Sequence, residues 1–197
     1  MKINSMILFI FIVCIFIPIC LAENIYVDNT LSENCEGIYS ITSRGCSGND
    51  GNAVTSISQA ANVAQPGDIV YIREGSYIEQ LIPTNSGTHT NPITYTNYND
   101  EEAMITGTSL KPAIIINDKE YLIIDGLKID NVNRWLYALN TNNCILRNNH
   151  FKRAIDPGHS QKACLFFQES NNNMIINNTI EDCSEDNLAL IKSDYNL

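Results

Sequence analysis

Asp156, His159 and Lys162 fall within the stretch IDPGHSQKA (Ile155–Ala163). Asp156-Pro157-Gly158 spells a turn, so these side chains should project together from whatever wall carries them. A carboxylate, an imidazole and an ammonium on one projecting loop could grip a sugar acid. Two further pairs occupy the equivalent place in a repeat set out below: Arg134–Trp135 before the loop, Glu185–Asp186 after it. Arg134 brings a permanent cation. Trp135, the single tryptophan, suits a stacking platform for a sugar ring or a cap over a groove. Glu185 and Asp186 are the candidates for holding a cation such as Ca²⁺, a hard ion that takes carboxylate oxygens. The same residues also fit an ordinary solvated loop. No catalytic residue is assigned.

The elements that would position these groups repeat. EYLIIDGLKI (Glu120–Ile129), NNCILRNNHF (Asn142–Phe151) and NNNMIINNTI (Asn171–Ile180) align without gaps at offsets of 22 and 29 residues. Downstream, WLYAL (Trp135–Leu139), CLFFQ (Cys164–Gln168) and NLALI (Asn187–Ile191) stack in turn. The columns Leu136/Leu165/Leu188, Ala138/Phe167/Leu190 and Ile129/Phe151/Ile180 are apolar in every copy. Short strands with one residue class per column describe a coil, not a hairpin sheet. The fold class is all-β, a right-handed single-stranded parallel β-helix whose coils bury their inner faces only by stacking. Asn148/Asn177 and Asn149/Asn178 share columns at a corner, where asparagine tolerates left-handed backbone and equivalent amides can form a ladder. Asn177 also opens a glycosylation sequon, read as incidental at a packed corner. The charged column Asp130/Lys152/Glu181 and its neighbour Asn131/Arg153/Asp182 favour cross-strand ion pairs over chemistry for Lys152 and Arg153. The longer second offset reflects about seven extra residues between Ala154 and Cys164, which is the loop carrying Asp156, His159 and Lys162.

Ahead of the repeat lie a strand at Ile25–Val27, a polar turn at Ser47–Asn52 and a helix at Ser56–Ala64, with Ser56 and Gln59 spaced as a capping box. Gln65-Pro66-Gly67-Asp68 ends that helix, and strands are expected at Ile69–Ile72, Tyr77–Ile82, Pro92–Tyr98 and Ala103–Gly107. Residues 1–22 read as a secretory signal peptide: Lys2, an apolar run to Leu21, and Cys20-x-Ala22 at the cleavage positions. A membrane anchor competes with that reading, the run being near spanning length. The bulky Ile19 before Cys20 argues against a lipoprotein. Cleavage removes Lys2 and no acid, leaving 11 basic against 22 acidic side chains, a balance of −11. Nucleic acid and anionic membrane are poor partners for such a chain. The expected location is extracellular or periplasmic, with no membrane contact after cleavage. Cys35 and Cys46 flank a short glycine-containing loop and are expected to pair. Cys144, Cys164 and Cys183 lack metal-ligand spacing and read as buried thiols.

IYVDNT, the helix, QPGDIVYIREGSYIEQ (Gln65–Gln80) and NPITYTNYNDEEAMITG (Asn91–Gly107) resemble the start of chondroitinase B-like and alginate-lyase-like polysaccharide lyases. The coils from Glu120 onward resemble the generic repeat of the pectin-lyase-like superfamily. This resemblance implies an extracellular acidic polysaccharide as partner and β-elimination as the reaction. A Lys, Arg or His would then take the C5 proton while a cation or basic groups neutralise the uronate carboxylate. The alternative is a non-catalytic β-helix used as a surface or binding scaffold, since the fold hosts both. The expected organisation is a signal peptide (1–22), an N-terminal cap with the first coils (23–110) and further coils of the same domain (111–197). SDYNL (Ser193–Leu197) aligns with Ser170–Met174 at an offset of 23. That alignment leads to the expectation that C-terminal coils, or a partner segment replacing them, are missing.

Overall fold

In the computed structural model, residues 22–155 and 163–196 are described. Their strands form three parallel sheets. Sheet 1 has seven strands, ordered Met174–Ile176, Ile145–Arg147, Leu122–Asp125, Ile93–Asn97, Ile69–Ile72, Asn24–Val27 and Asn52–Val54. Sheet 2 runs from Gly75–Tyr77 through Ala103–Thr106, Lys128–Val132 and His150–Ala154 to Thr179–Cys183. Sheet 3 contains Ile114–Asn117, Leu136–Leu139, Ala163–Gln168 and Asp186–Ile191. The chain visits sheets 1, 2 and 3 in turn, so each circuit is one coil of a right-handed parallel β-helix. Ile129, Phe151 and Ile180 are register partners, as are Leu136, Leu165 and Leu188. These inward columns form one continuous core with Ile124, Leu146 and Ala138. At the last coil the same columns are open: Leu188 is 40% exposed where Leu165 is fully buried.

The corners are built on left-handed backbone. The columns Asp118/Asn140/Glu169/Lys192, Tyr121/Asn143/Asn172/Tyr195, Gly126/Asn148/Asn177 and Asn131/Arg153/Asp182 all have φ between 46° and 67°. Asn and Gly accept this at little cost, whereas Tyr, Glu, Lys and Arg each give up about 1–2 kcal/mol. The stacked hydrogen bonds therefore dictate the geometry, whatever the side chain. Asn149 illustrates how. Its Oδ1 accepts the Leu127 N–H at 3.0 Å and its Nδ2 donates to the Ile124 carbonyl at 2.9 Å, one coil back. Its own N–H donates to Asn178 Oδ1 at 2.9 Å, one coil on. Asn173 does the same at the next corner, accepting from Cys144 N–H and donating to the Thr141 carbonyl. Outside, Asn177 Nδ2 donates to Asn148 Oδ1 at 2.6 Å.

At the N-terminal end, helix α1 (Ile57–Val63) starts at Ser56, whose side chain accepts the Gln59 N–H. The Glu79 carboxylate accepts the N–H groups of Ile57 and Ser58, both at 2.9 Å. The Gln59 side chain turns to Thr55, so only half of a capping box forms. Cys35 and Cys46 are disulfide-bonded. Their loop is tied to the first coils by a chain of ion pairs and hydrogen bonds: Arg44 and Tyr39 on Asp28, then Arg73 on Tyr39 and Glu101.

Several expectations need correction. The strand expected at Tyr77–Ile82 stops at Tyr77. Asn52–Val54 and Ile114–Asn117 are strands that the sequence reading left out. Cys164 and Cys183 form a second disulfide, leaving Cys144 as the free cysteine among the described residues. Burial pushes the Cys144 thiol up to about 12, so it stays protonated and inert. Of the expected signal peptide only Ala22 lies within the described residues, and no helix among these is long and apolar enough to cross a membrane.

Candidate functional site

The repeat keeps its corners uniform except at one place. From sheet 2 to sheet 3, Val132 is followed by Leu136 four positions later, and Cys183 by Leu188 five positions later. Between them, Ala154 is separated from Leu165 by eleven positions. The extra residues carry Asp156, His159 and Lys162, which lie outside the described residues. The anchors of that loop, Ala154 and Ala163, are both buried. The loop therefore leaves from and returns to fixed points on the corner between sheets 2 and 3.

Around that corner the register brings together Arg134, Ala163 and Asp186, one per coil. Arg134 is 8% exposed, and its guanidinium lies 5.9 Å from the centroid of Tyr137 and 5.6 Å from that of Phe166. The two rings are stacked, with centroids 5.4 Å apart and planes within 5°. They stand on the outer face of sheet 3 in the column Ile115/Tyr137/Phe166/Ala189. One coil before Arg134, the exposed Lys111 donates from Nζ to the Asn133 side-chain oxygen at 3.2 Å, with the Asn133 amide oriented to donate to the Thr108 carbonyl. Two cations thus sit on successive coils of an acidic chain: Lys111 is exposed, and Arg134 is buried against the Tyr137–Phe166 pair. Such a surface suits a planar anion bound to a ring, as in a sugar acid.

Trp135 corrects the sequence reading. It is fully buried, points inward, packs against Phe151 with ring centroids 5.7 Å apart, and donates its indole N–H to the Lys152 carbonyl at 3.1 Å. It is a core residue and neither a platform nor a cap. The ring open to an incoming sugar is Tyr137, half-buried and backed by the fully buried Phe166, which sequence reasoning missed. The alternation of sheet 3 was the available signal: Leu136, Ala138, Leu165 and Phe167 point inward, so Tyr137 and Phe166 point out. Glu185 and Asp186 are both exposed. Among the described residues no group of three His, Cys, Asp or Glu side chains could hold a metal.

The outer face of sheet 2 is charged but internally matched. Arg153 is bidentate on Asp130, with Nε and Nη2 at 2.6 and 2.7 Å. Burial alone would raise the Asp130 pKa, but the Arg153 hydrogen bonds and charge hold it below the usual carboxylate range. Glu181 lies 3.4 Å from Lys152 Nζ and 3.3 Å from His150 Nε2. These are the cross-coil pairs expected of Lys152 and its column.

A coil of three parallel sheets with locked corners and one long insertion defines a parallel β-helix of the pectin-lyase-like kind. The sequence pattern of the Pel9A-like, right handed beta helix region matches residues 39–187, and the chain belongs to that family. Uncharacterized protein YwoF of Bacillus subtilis (strain 168) is 39% identical over 82 residues, covering 39% of this chain and 18% of that protein. Among solved structures, pectate lyase Pel9A superposes with a TM-score of 0.55 at 14% identity, over 86% of this chain and 50% of that one. The alginate lyase from Paenibacillus sp. str. FPU-7 gives 0.54 at 21% identity, over 62% and 40% respectively. These two likenesses are of fold. The chain spans half or less of the length of each protein it matches.

Proposed function

We propose that this chain is a secreted, lyase-like β-helix that holds an acidic polysaccharide along the corner between sheets 2 and 3. The observation that carries this reading is the Arg134 guanidinium fixed over the Tyr137–Phe166 stack, with Lys111 one coil away. A uronate carboxylate would meet the exposed Lys111, with the buried Arg134 adding positive charge from behind, and its ring would lie against Tyr137. Asp156, His159 and Lys162 would complete the rim from the loop. If the whole protein is catalytic, the reaction is β-elimination. A base removes the C5 proton, the electron pair forms the C4–C5 double bond, and the glycosidic oxygen leaves C4. The cations contribute by stabilising the carboxylate-delocalised charge. The ion-paired face of sheet 2 favours a second reading, binding without cleavage, because its Lys and Arg groups are already engaged.

The test incubates the secreted protein with alginate, pectate and chondroitin or dermatan sulfate, with and without Ca²⁺, and follows ultraviolet absorbance of the unsaturated product. Rising absorbance supports a lyase. Binding that weakens with salt and is lost in Lys111→Ala and Arg134→Ala, without product, supports the scaffold. Neither product nor binding would overturn both readings.

A further inference from the structure

The start of the first coil carries an observation that glycan binding does not use. Ala22 and Glu23 are exposed, and the Glu23 backbone N–H donates to Asp68 Oδ1 at 2.8 Å. Asp68 itself is 4% exposed, and its other oxygen accepts the Gln65 N–H at 2.7 Å. A carboxylate is thus buried against neutral amide dipoles, an expensive arrangement for a full charge. The other charged groups around it are acids. The Glu23 side chain accepts from Asn52 Nδ2 at 3.1 Å, and Glu36 lines the adjoining cavity of about 420 Å³. No Lys, Arg or His lines that cavity, and among the described residues no cation pairs with Asp68.

We propose that proteolytic cleavage between Ala22 and Glu23 supplies the missing cation, so that the new α-ammonium of Glu23 forms an ion pair with buried Asp68. Water adds across the broken peptide bond: its hydroxyl goes to the Ala22 carbonyl, which leaves as a carboxylate, and protons go to the Glu23 nitrogen. That nitrogen already stands at hydrogen-bond distance from the carboxylate, and the Ile69 N–H donating to the Glu23 carbonyl at 3.0 Å holds the residue in register. The open cavity hydrates the remaining ammonium protons. Maturation and folding are thereby coupled: the processed chain gains an ion pair at its first strand that the unprocessed chain lacks. The inference rests on the signal-peptide reading and not on the glycan reading.

An α-amino group ordinarily titrates near about 8. Pairing with Asp68 raises its folded-state pKa, so the added stability is complete below about pH 8 and is lost as pH rises through the folded value. The experiment has two parts. The intact mass of the exported protein is measured, with a chain starting at Glu23 expected. Proteins starting at Glu23 and at Ala22, both released from one fusion by a site-specific protease, are then compared by urea unfolding from pH 6 to 10. Retaining Ala22 moves the ammonium about 3.8 Å along the chain. The Glu23 form should show an unfolding constant roughly tenfold smaller at pH 7, the equivalent of about one pKa unit. The difference should vanish near pH 10 and be absent in Asp68→Asn. A mass starting at another residue, or equal pH profiles for the two forms, would overturn the proposal. The comparison with native Asp68 stands even if Asp68→Asn fails to fold.

Discussion

Asn149→Ala isolates what holds the corners. The native amide satisfies two main-chain groups of the preceding coil, the Leu127 N–H and the Ile124 carbonyl, and Asn149 is 1% exposed. Alanine leaves both without a partner where water has little access. Each such group costs about 1–3 kcal/mol, so the expected loss is about 4 kcal/mol. That is a large part of the roughly 5–15 kcal/mol by which a domain is stable. Asn148→Gly is the control one residue away. Asn148 is exposed, has φ 55°, and bonds only outer side chains, Asp125 and Asn177. Water replaces those bonds and glycine accepts the left-handed backbone, so the change should stay within about 0.5 kcal/mol. Urea unfolding followed by far-ultraviolet circular dichroism measures both. Equal, small losses for the two variants would refute the claim that interior amides, and not the exposed ladder, fix the corner.

Removing the Cys164–Cys183 disulfide by Cys183→Ser should cost about 3 kcal/mol for a loop of 19 residues, read as a lowered urea midpoint and earlier proteolysis of the last coil. Acid should unfold the protein. Burial alone would raise Asp28 and Asp130, but Arg44 and Arg153 hold these two below their ordinary range, and hydrogen bonds from Arg73 do the same for Glu101. Depressed carboxyl pKa values give stability that is present above about pH 4 and lost as pH falls through the folded values. Asp28→Asn and Asp130→Asn should flatten that pH dependence in melting experiments. Trp135, being buried, should emit at short wavelength, resist iodide quenching and stay unchanged when a glycan binds. A red shift or strong quenching in the native protein would restore it to the surface.

The repeat was legible because its columns obey one rule. Leu136 and Leu165 face inward for the same reason, and gapless alignment of the Asn-rich phrases set the register of all three sheets. The strand at Ile114–Asn117 escaped because the phrase before it, without doubled asparagines, gives no marker of the corner. Cys164 and Cys183 were read as separate thiols because their sequence spacing says nothing about facing each other. Only the coil brings the end of one sheet-2 strand beside a sheet-3 strand of the previous turn. Trp135 shows the opposite failure. A lone tryptophan next to an arginine suggests a sugar platform, but the inward parity of Leu136 does not extend through the corner. The left-handed Asn131 and the turn after Val132 rotate Trp135 into the core. Parity arguments hold along a regular strand and lapse at a corner or past a left-handed residue such as Asn131.

That contrast also explains where chemistry can sit. An inward residue is constrained by its neighbours above and below, and a corner residue by a stacked hydrogen bond. The corners leading into and out of sheet 1 accept no extra length without breaking the amide bonds of Asn149, Asn173 and Asn178 to adjacent coils. At the corner between sheets 2 and 3 the one such buried amide, among the described residues, is Asn133, which donates to the Thr108 carbonyl of the preceding coil; the next coil has Ile155 in the equivalent position. The insertion is bounded there by Ala154 and Ala163, both buried and both in register with neighbouring coils. Length can therefore vary there while the core stays in register, and a binding loop can change without altering the fold. The Arg134–Tyr137–Phe166 cluster lies at that corner, the same corner at which residues 156–162 enter the chain. Replacing residues 156–162 with a short Gly-Ser link should then leave the urea midpoint nearly unchanged while weakening glycan binding. A large loss of stability would show that the loop belongs to the core and would remove the reason for placing the site there.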